Sequence, residues 1–170
     1  WIITICPSYI LVIKKIGGNK VDYQKQNINT LKTVAKSNTT QSFDWDIIVP
    51  DSKPDAATII STDGAVNILN KEIMQDRAVI NGNVKITILY ISSDNEKCVK
   101  SIESVQNFNY VLELNGLRQN MILTLYSFVP KITSNVLNSR KINVSCVMDF
   151  FGTAYENSEV CYIEKTDCND

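Results

Sequence analysis

The chain has 170 residues and contains no histidine; its five cysteines are Cys6, Cys98, Cys146, Cys161 and Cys168. Losing histidine removes the commonest general base near neutral pH and the commonest metal ligand. A Ser-His-Asp or Cys-His catalytic arrangement is therefore excluded. Zinc held by cysteines alone uses closely spaced pairs, and no Cys-x-x-Cys pair occurs. No catalytic residue, cofactor site or metal site is assigned, and the protein is expected not to be an enzyme. Five thiols cannot all pair within one chain. Reduced thiols in a cytosolic protein are one reading. Placement favours another, because Cys98 follows a polar loop while Cys161 and Cys168 sit in a polar tail. With Cys6 they form the set of candidates for disulfides between subunits, since exposed thiols are a liability unless used. Cys146 instead alternates with apolar residues and is expected to be a buried structural thiol, a small hydrophobe.

The carboxylates do not organise into a site. Asp44 and Asp46 flank Trp45, an arrangement used by sugar-binding surfaces, but a strand with two solvated acids and one packed indole explains it more simply. Asp94, Asn95 and Glu96 lack the spacing of a twelve-residue calcium loop and read as a hairpin tip. The glycines are dispersed apart from Gly17-Gly18, so no phosphate-cradling loop exists. Arg140 and Lys141 precede a strand, and a charged strand start that fixes register is favoured over an interface contact. A net charge of −1 argues against nucleic-acid binding, which needs a basic surface.

The positioning elements are strands. Residues 1–16 are apolar and β-prone but interrupted by Pro7, too short to span a bilayer and a poor match to a signal peptide. They read as a strand or arm that pairs with its own domain or with a neighbouring subunit, and Gly17-Gly18-Asn19 as a hinge. Residues 31–49 are strand-like; Pro50 and Pro54 rule out a central strand between them. Residues 65–74 and 77–92 suit a hairpin across Gln75-Asp76, with Val84, Ile86, Ile88 and Tyr90 on one face. In residues 98–114 the packing candidates are Val99, Ile102, Val105, Phe108 and Tyr110, and Asn115-Gly116 suits a tight hairpin turn. Residues 121–129 are apolar on both sides, as in a doubly covered strand. Residues 141–150 place Ile142, Val144, Cys146, Met148 and Phe150 on one face. Regularly spaced strands with no long 3.6-residue periodicity indicate an all-β, antiparallel β-sandwich.

Three segments in order resemble the SPOCS domain family. They are Ile47-Ile48-Val49-Pro50-Asp51-Ser52-Lys53-Pro54-Asp55 with Ile59-Ile60, the strand Val79 to Tyr90, and Leu137-Asn138-Ser139-Arg140-Lys141-Ile142-Asn143-Val144. The resemblance implies an all-β module for assembly and protein contact in spore-envelope proteins of clostridia and related spore formers. The expected organisation is an apolar N-terminal arm or strand at 1–20, a polar lead-in with first strands at 21–46, a SPOCS-like core at 47–150 and a cysteine-containing tail at 151–170. The expected function is that of a structural, self-assembling protein of the spore's outer layers (coat, exosporium or appendage), linked by strand edges and disulfides. Its expected partners are copies of itself and other spore-envelope proteins, with no nucleic acid and no membrane span. A non-polymerising adaptor in spore-envelope morphogenesis and a carbohydrate-binding sandwich using Trp45 are the alternatives.

Overall fold

A computed structural model of the chain describes residues 2–5, 11–14 and 22–167, with side chains described for residues 25–163. Every regular element among them is a strand: β1 (Ile2–Ile5), β2 (Leu11–Lys14), β3 (Asp22–Ile48), β4 (Ala56–Met74), β5 (Arg77–Ser92), β6 (Val99–Glu113), β7 (Ile122–Asn138) and β8 (Lys141–Asp167). The all-β, sandwich-like class read from the sequence is the class observed. The chain divides into two units, Trp1–Lys32 with Tyr155–Asp170, and Thr33–Ala154. β3 and β8 contribute to both.

In the first unit β1 and β2 form a two-stranded antiparallel sheet with Ile3 opposite Ile13. The start of β3 and the end of β8 are tied by Thr30 Oγ1 donating to the Ser158 carbonyl at 3.2 Å and by Tyr162 Oη donating to Gln26 Oε1 at 3.1 Å. The Gly17-Gly18-Asn19 hinge lies outside the described residues.

The second unit holds two antiparallel three-stranded sheets, ordered β3-β8-β7 and β4-β5-β6. The middle strands make the core. Along β5 the inward row Ala78, Ile80, Val84, Ile86, Ile88 and Tyr90 is fully buried, and along β8 so is Ile142, Val144, Cys146, Met148 and Phe150. Period-two alternation dictates this, because a middle strand with one covered face buries every second side chain. Val84 to Tyr90 on β5 and the whole β8 row are those expected from the sequence, and Ala78 and Ile80 extend the first. The edge strands then meet across the sandwich. On one side Thr62 of β4 and Ser134 of β7 share a hydroxyl hydrogen bond at 2.5 Å. On the other, Phe43 of β3 packs on Phe108 of β6 with ring centroids 5.6 Å apart, and Tyr110 Oη donates to Thr39 Oγ1 at 2.9 Å.

The same parity corrects two expectations. Val99 and Val105 are odd-numbered in a strand whose buried residues, Ile102, Phe108 and Leu112, are even-numbered, so they point outward at 61% and 58% exposure. β7 is an edge strand rather than a doubly covered one, and Ile122, Tyr126 and Phe128 are exposed on its outer face. Phe128 finds apolar company in Phe151 of neighbouring β8, stacked at 5.7 Å, which explains why this strand is apolar on both sides without a second layer. Residues 56–60, just after Pro54, are extended and form the start of β4.

Gly82 is required by close approach, since a Cβ there would lie 2.5 Å from the Asn67 carbonyl oxygen and 2.6 Å from the Phe108 ring. Gly64 differs, because its hypothetical Cβ meets only the Ile132 Cδ1 tip at 3.0 Å. Gly82→Ala is therefore expected to cost about 2 kcal/mol through overpacking, and Gly64→Ala clearly less. Urea denaturation midpoints of the two variants check the order, and equal midpoints would refute the close-approach argument.

Candidate assembly surfaces and the loops that frame them

The chain crosses between the two sheets twice in the second unit, and each crossing is pinned by a charged residue in a turn of the sheet it leaves. The first crossing, from β3 to β4, is the loop of residues 49–55. Its backbone groups find partners in the β7–β8 turn: Val49 N–H donates to the Arg140 carbonyl at 2.9 Å and Ala56 N–H to the Ser139 carbonyl at 2.8 Å. The Arg140 guanidinium then grips the loop. Nη1 donates to the Lys53 carbonyl at 2.8 Å and to Asp55 Oδ1 at 3.1 Å, and Nη2 donates to Asp51 Oδ1 at 2.6 Å. Burial opposes the guanidinium's charge, but its hydrogen bonds to Asp51 and Asp55 outweigh that and raise its pKa. Tyr90 Oη donates to the Pro54 carbonyl at 2.9 Å, and partial burial pushes this phenol's pKa up. Thus Pro50 to Asp55, Tyr90 and Ser139-Arg140, which lie in the three segments of the SPOCS resemblance, meet at one end of the sandwich.

The second crossing, from β6 to β7, occupies residues 114–121. Asn115-Gly116 is not a tight hairpin turn, because the strands it separates lie in different sheets. Gly116 takes φ of 92°, and Asp76, in the β4–β5 turn, takes φ of 60°. Asp76 N–H donates to the Leu117 carbonyl, the Asp76 carbonyl accepts from Leu114 N–H, and Asp76 Oδ1 accepts from Gly116 N–H at 2.7 Å. That last bond, with one from Gln75, holds the Asp76 carboxyl below its ordinary value.

Lys141 lies beside the first latch but faces outward, where its Nζ is 2.8 Å from Asp46 Oδ2. Asn143 Nδ2 donates to Asp46 Oδ1 at 3.0 Å. Lys141 and then Asn143 lower the Asp46 pKa. Arg140 and Lys141 therefore serve the fold. Trp45 does too: its ring stacks on Phe43 at 5.7 Å and 5° and packs against the core, while Asp44 and Asp46 face solvent. The indole is half-buried and contributes to packing.

The thiols are separated by environment. Cys98 is half-buried at the entry to β6, its Sγ 3.7 Å from a Glu96 carboxylate oxygen. Cys161 is exposed on β8. Cys6 and Cys168 lie outside the described residues. Cys146 is fully buried on the inward row of β8, and burial pushes its thiol up to about 11. Each described cysteine is a free thiol, and no group of three or more His, Cys, Asp or Glu among the described residues could hold a metal ion.

Two edges are partly blunted. The Lys71 ammonium donates to the Leu123 carbonyl of β7 at 2.5 Å, and Pro130 removes a backbone donor from the same strand. Lys53 Nζ donates to the Ser101 carbonyl of edge strand β6. β3 is the longest edge strand and contains no proline.

Residues 55–137 match the family model described as SipL, SPOCS domain, a little under half of the chain. The match begins at the Arg140-bound Asp55, takes in β4, β5 and β6, and ends near the close of β7. The resemblance read from the sequence thus meets an independent match over its central part. No curated protein and no solved structure matches. The fold and the match describe an all-β chain with a segment similar to the SPOCS domain. The SPOCS family is not a known enzyme family. No helix among the described residues is long and apolar enough to cross a membrane.

Two outcomes are expected. Arg140→Lys keeps the charge but loses the planar fork that reaches Asp51, Asp55 and the Lys53 carbonyl together. It should lower the urea midpoint nearly as far as Arg140→Ala, and double-mutant cycles should show tighter coupling to Asp55 than to the fully exposed Asp51. A wild-type midpoint for Arg140→Lys would refute the latch. The second outcome concerns acid. Asp46 and Asp76 have folded-state pKa values below the ordinary 3.8. Their stabilisation is complete above that value and is lost as pH falls through the lowered ones. The midpoint should therefore fall below about pH 4, and Asp46→Asn with Asp76→Asn should flatten that acid limb.

Proposed function

We propose that this chain is a structural, self-associating component of the outer layers of a bacterial spore, its coat, exosporium or a surface appendage. Copies dock through strand edges and are then joined by disulfides. The observation that carries this reading is the SPOCS match on an all-β sandwich whose described chemistry is packing and latching, together with exposed Cys161. Edge docking supplies backbone hydrogen bonds in register. Its length and its lack of proline favour β3 over the shorter, lysine-capped β6 and the proline-bearing β7 as the docking edge.

A head-to-tail contact propagates as a filament or sheet unless it closes into a ring. Cys98 and Cys161, with Cys6 and Cys168 in the outlying segments, are the sulfurs assigned to cross-linking. Cys146 is excluded by burial and by its raised pKa, because the thiolate is the species that attacks. Disulfides between subunits act chiefly on dissociation, making the assembly slow to come apart in heat or denaturant. Copies of the chain and other spore-envelope proteins are the partners, and no catalytic step is involved.

Size-exclusion chromatography and non-reducing gels of the full chain, with and without reductant, test this. Multimers that collapse on reduction are expected, weakened by Cys161→Ser and by Cys98→Ser and unchanged by Cys146→Ser. A monomer with reduced thiols in oxidising buffer would overturn the proposal in favour of a non-polymerising adaptor.

A further inference from the structure

The sequence contains two Asn-Gly pairs, Asn81-Gly82 inside β5 and Asn115-Gly116 in the second crossing. Such a pair can modify itself. The glycine nitrogen, once hydroxide or a buffer base has taken its proton, attacks the carboxamide carbon of the asparagine. A new C–N bond forms, the bond to the side-chain nitrogen breaks, and ammonia leaves after taking up a proton. Water then opens the resulting cyclic imide to aspartate or isoaspartate, so the net change is water in and ammonia out. Glycine favours the attack because no Cβ shields its nitrogen.

The fold treats the two pairs differently. Gly82 lies opposite Ile68 on one side and Phe108 on the other, in the middle strand of its sheet. The Asn81 carboxamide oxygen accepts from Asn109 Nδ2 at 2.6 Å. Asn115-Gly116 has no ladder around it. Asn115 is exposed and Gly116 half-buried, in a turn closed by Leu117 N–H donating to the Leu114 carbonyl at 3.0 Å. What stands against the Gly116 nitrogen is Asp76, whose Oδ1 accepts its N–H at 2.7 Å. The Asp76 backbone holds the same turn at both ends, through the Leu114 N–H and the Leu117 carbonyl.

We propose that Asn115 is a self-modification site that the Asp76 carboxylate keeps shut while the crossing is folded. Attack passes through a deprotonated Gly116 nitrogen, and a like charge already beside it disfavours that anion. The carboxylate is ionised near neutral pH, because its bonds from Gly116 and Gln75 lower its pKa. The backbone bonds to Leu114 and Leu117 also keep the nitrogen from swinging onto the side chain. Opening of the crossing removes both restraints, so Asn115 records that event irreversibly. The product puts a new carboxylate, or an added backbone carbon, between the buried Leu114 and Leu117. A chain that has opened is thereby hindered from closing again.

Mass spectrometry of proteolytic peptides from the full chain, incubated in mildly alkaline buffer, reads Asn81 and Asn115 separately. In unfolding urea both should deamidate at similar rates. In native buffer Asn115 should be slower at least about tenfold, the effect of one pKa unit at the attacking nitrogen. Asp76→Asn keeps an acceptor oxygen and tolerates positive φ but removes the charge. It should speed Asn115 about tenfold in native buffer and leave Asn81 unchanged. A native Asn115 rate equal to that in urea, or no acceleration in Asp76→Asn, would overturn the proposal. A rise at Asn81 in step with Asn115 would assign the protection to the fold as a whole and overturn it too. Hydrogen exchange of the Gly116 N–H passes through the same anion and needs no variant. In the folded wild type it should be at least about tenfold slower than in the unfolded chain, and equal rates would sink the proposal.

Discussion

A sandwich made from one chain must carry its backbone from one sheet to the other without leaving peptide groups unpaired, and that requirement organises this structure. Two crossings are made in the second unit, at residues 49–55 and 114–121, and neither can use ladder hydrogen bonds. Each is fastened by a residue in the turn beside it, Arg140 for the first and Asp76 for the second. Arg140 suits its loop because a planar guanidinium can reach a carbonyl and two carboxylates at once. Asp76 suits the other because its short carboxylate accepts a backbone N–H while its own backbone tolerates positive φ.

With the crossings fixed, the middle strands β5 and β8 are held with their inward rows together, and the core follows from strict alternation. The aromatic residues then close one side. Phe43, Trp45, Phe108, Tyr110 and Phe150 form a connected group joining β3, β6 and β8, with Tyr110 stacked on Phe150 at 4.4 Å. This is why Trp45 belongs to the fold although its neighbours suggest a binding surface. The chemistry left for partners lies on the outside: the edge of β3, the exposed Cys161 thiol and the outer faces of both sheets. The latches take no part in those outer surfaces, but they hold the crossings that fix how the two sheets of the second unit face each other.

Much was legible in the residues themselves. Alternation at 84–90 and 142–150 fixes the inward rows, because a side-chain period of two is a property of the strand and needs no tertiary information. The proline pair at 50 and 54 excludes a ladder, and the SPOCS-like segments resemble a family whose model matches residues 55–137. Alternation read too loosely misassigns Val99 and Val105, whose odd positions in β6 put them outside. What only the folded chain decided are the meetings of distant residues. Arg140 with Asp51 and Asp55, and Asp76 with Gly116, are far apart in sequence. Strand order brings them together, and a linear pattern does not record it, because cross-strand register is set by the turns and by the opposing sheet.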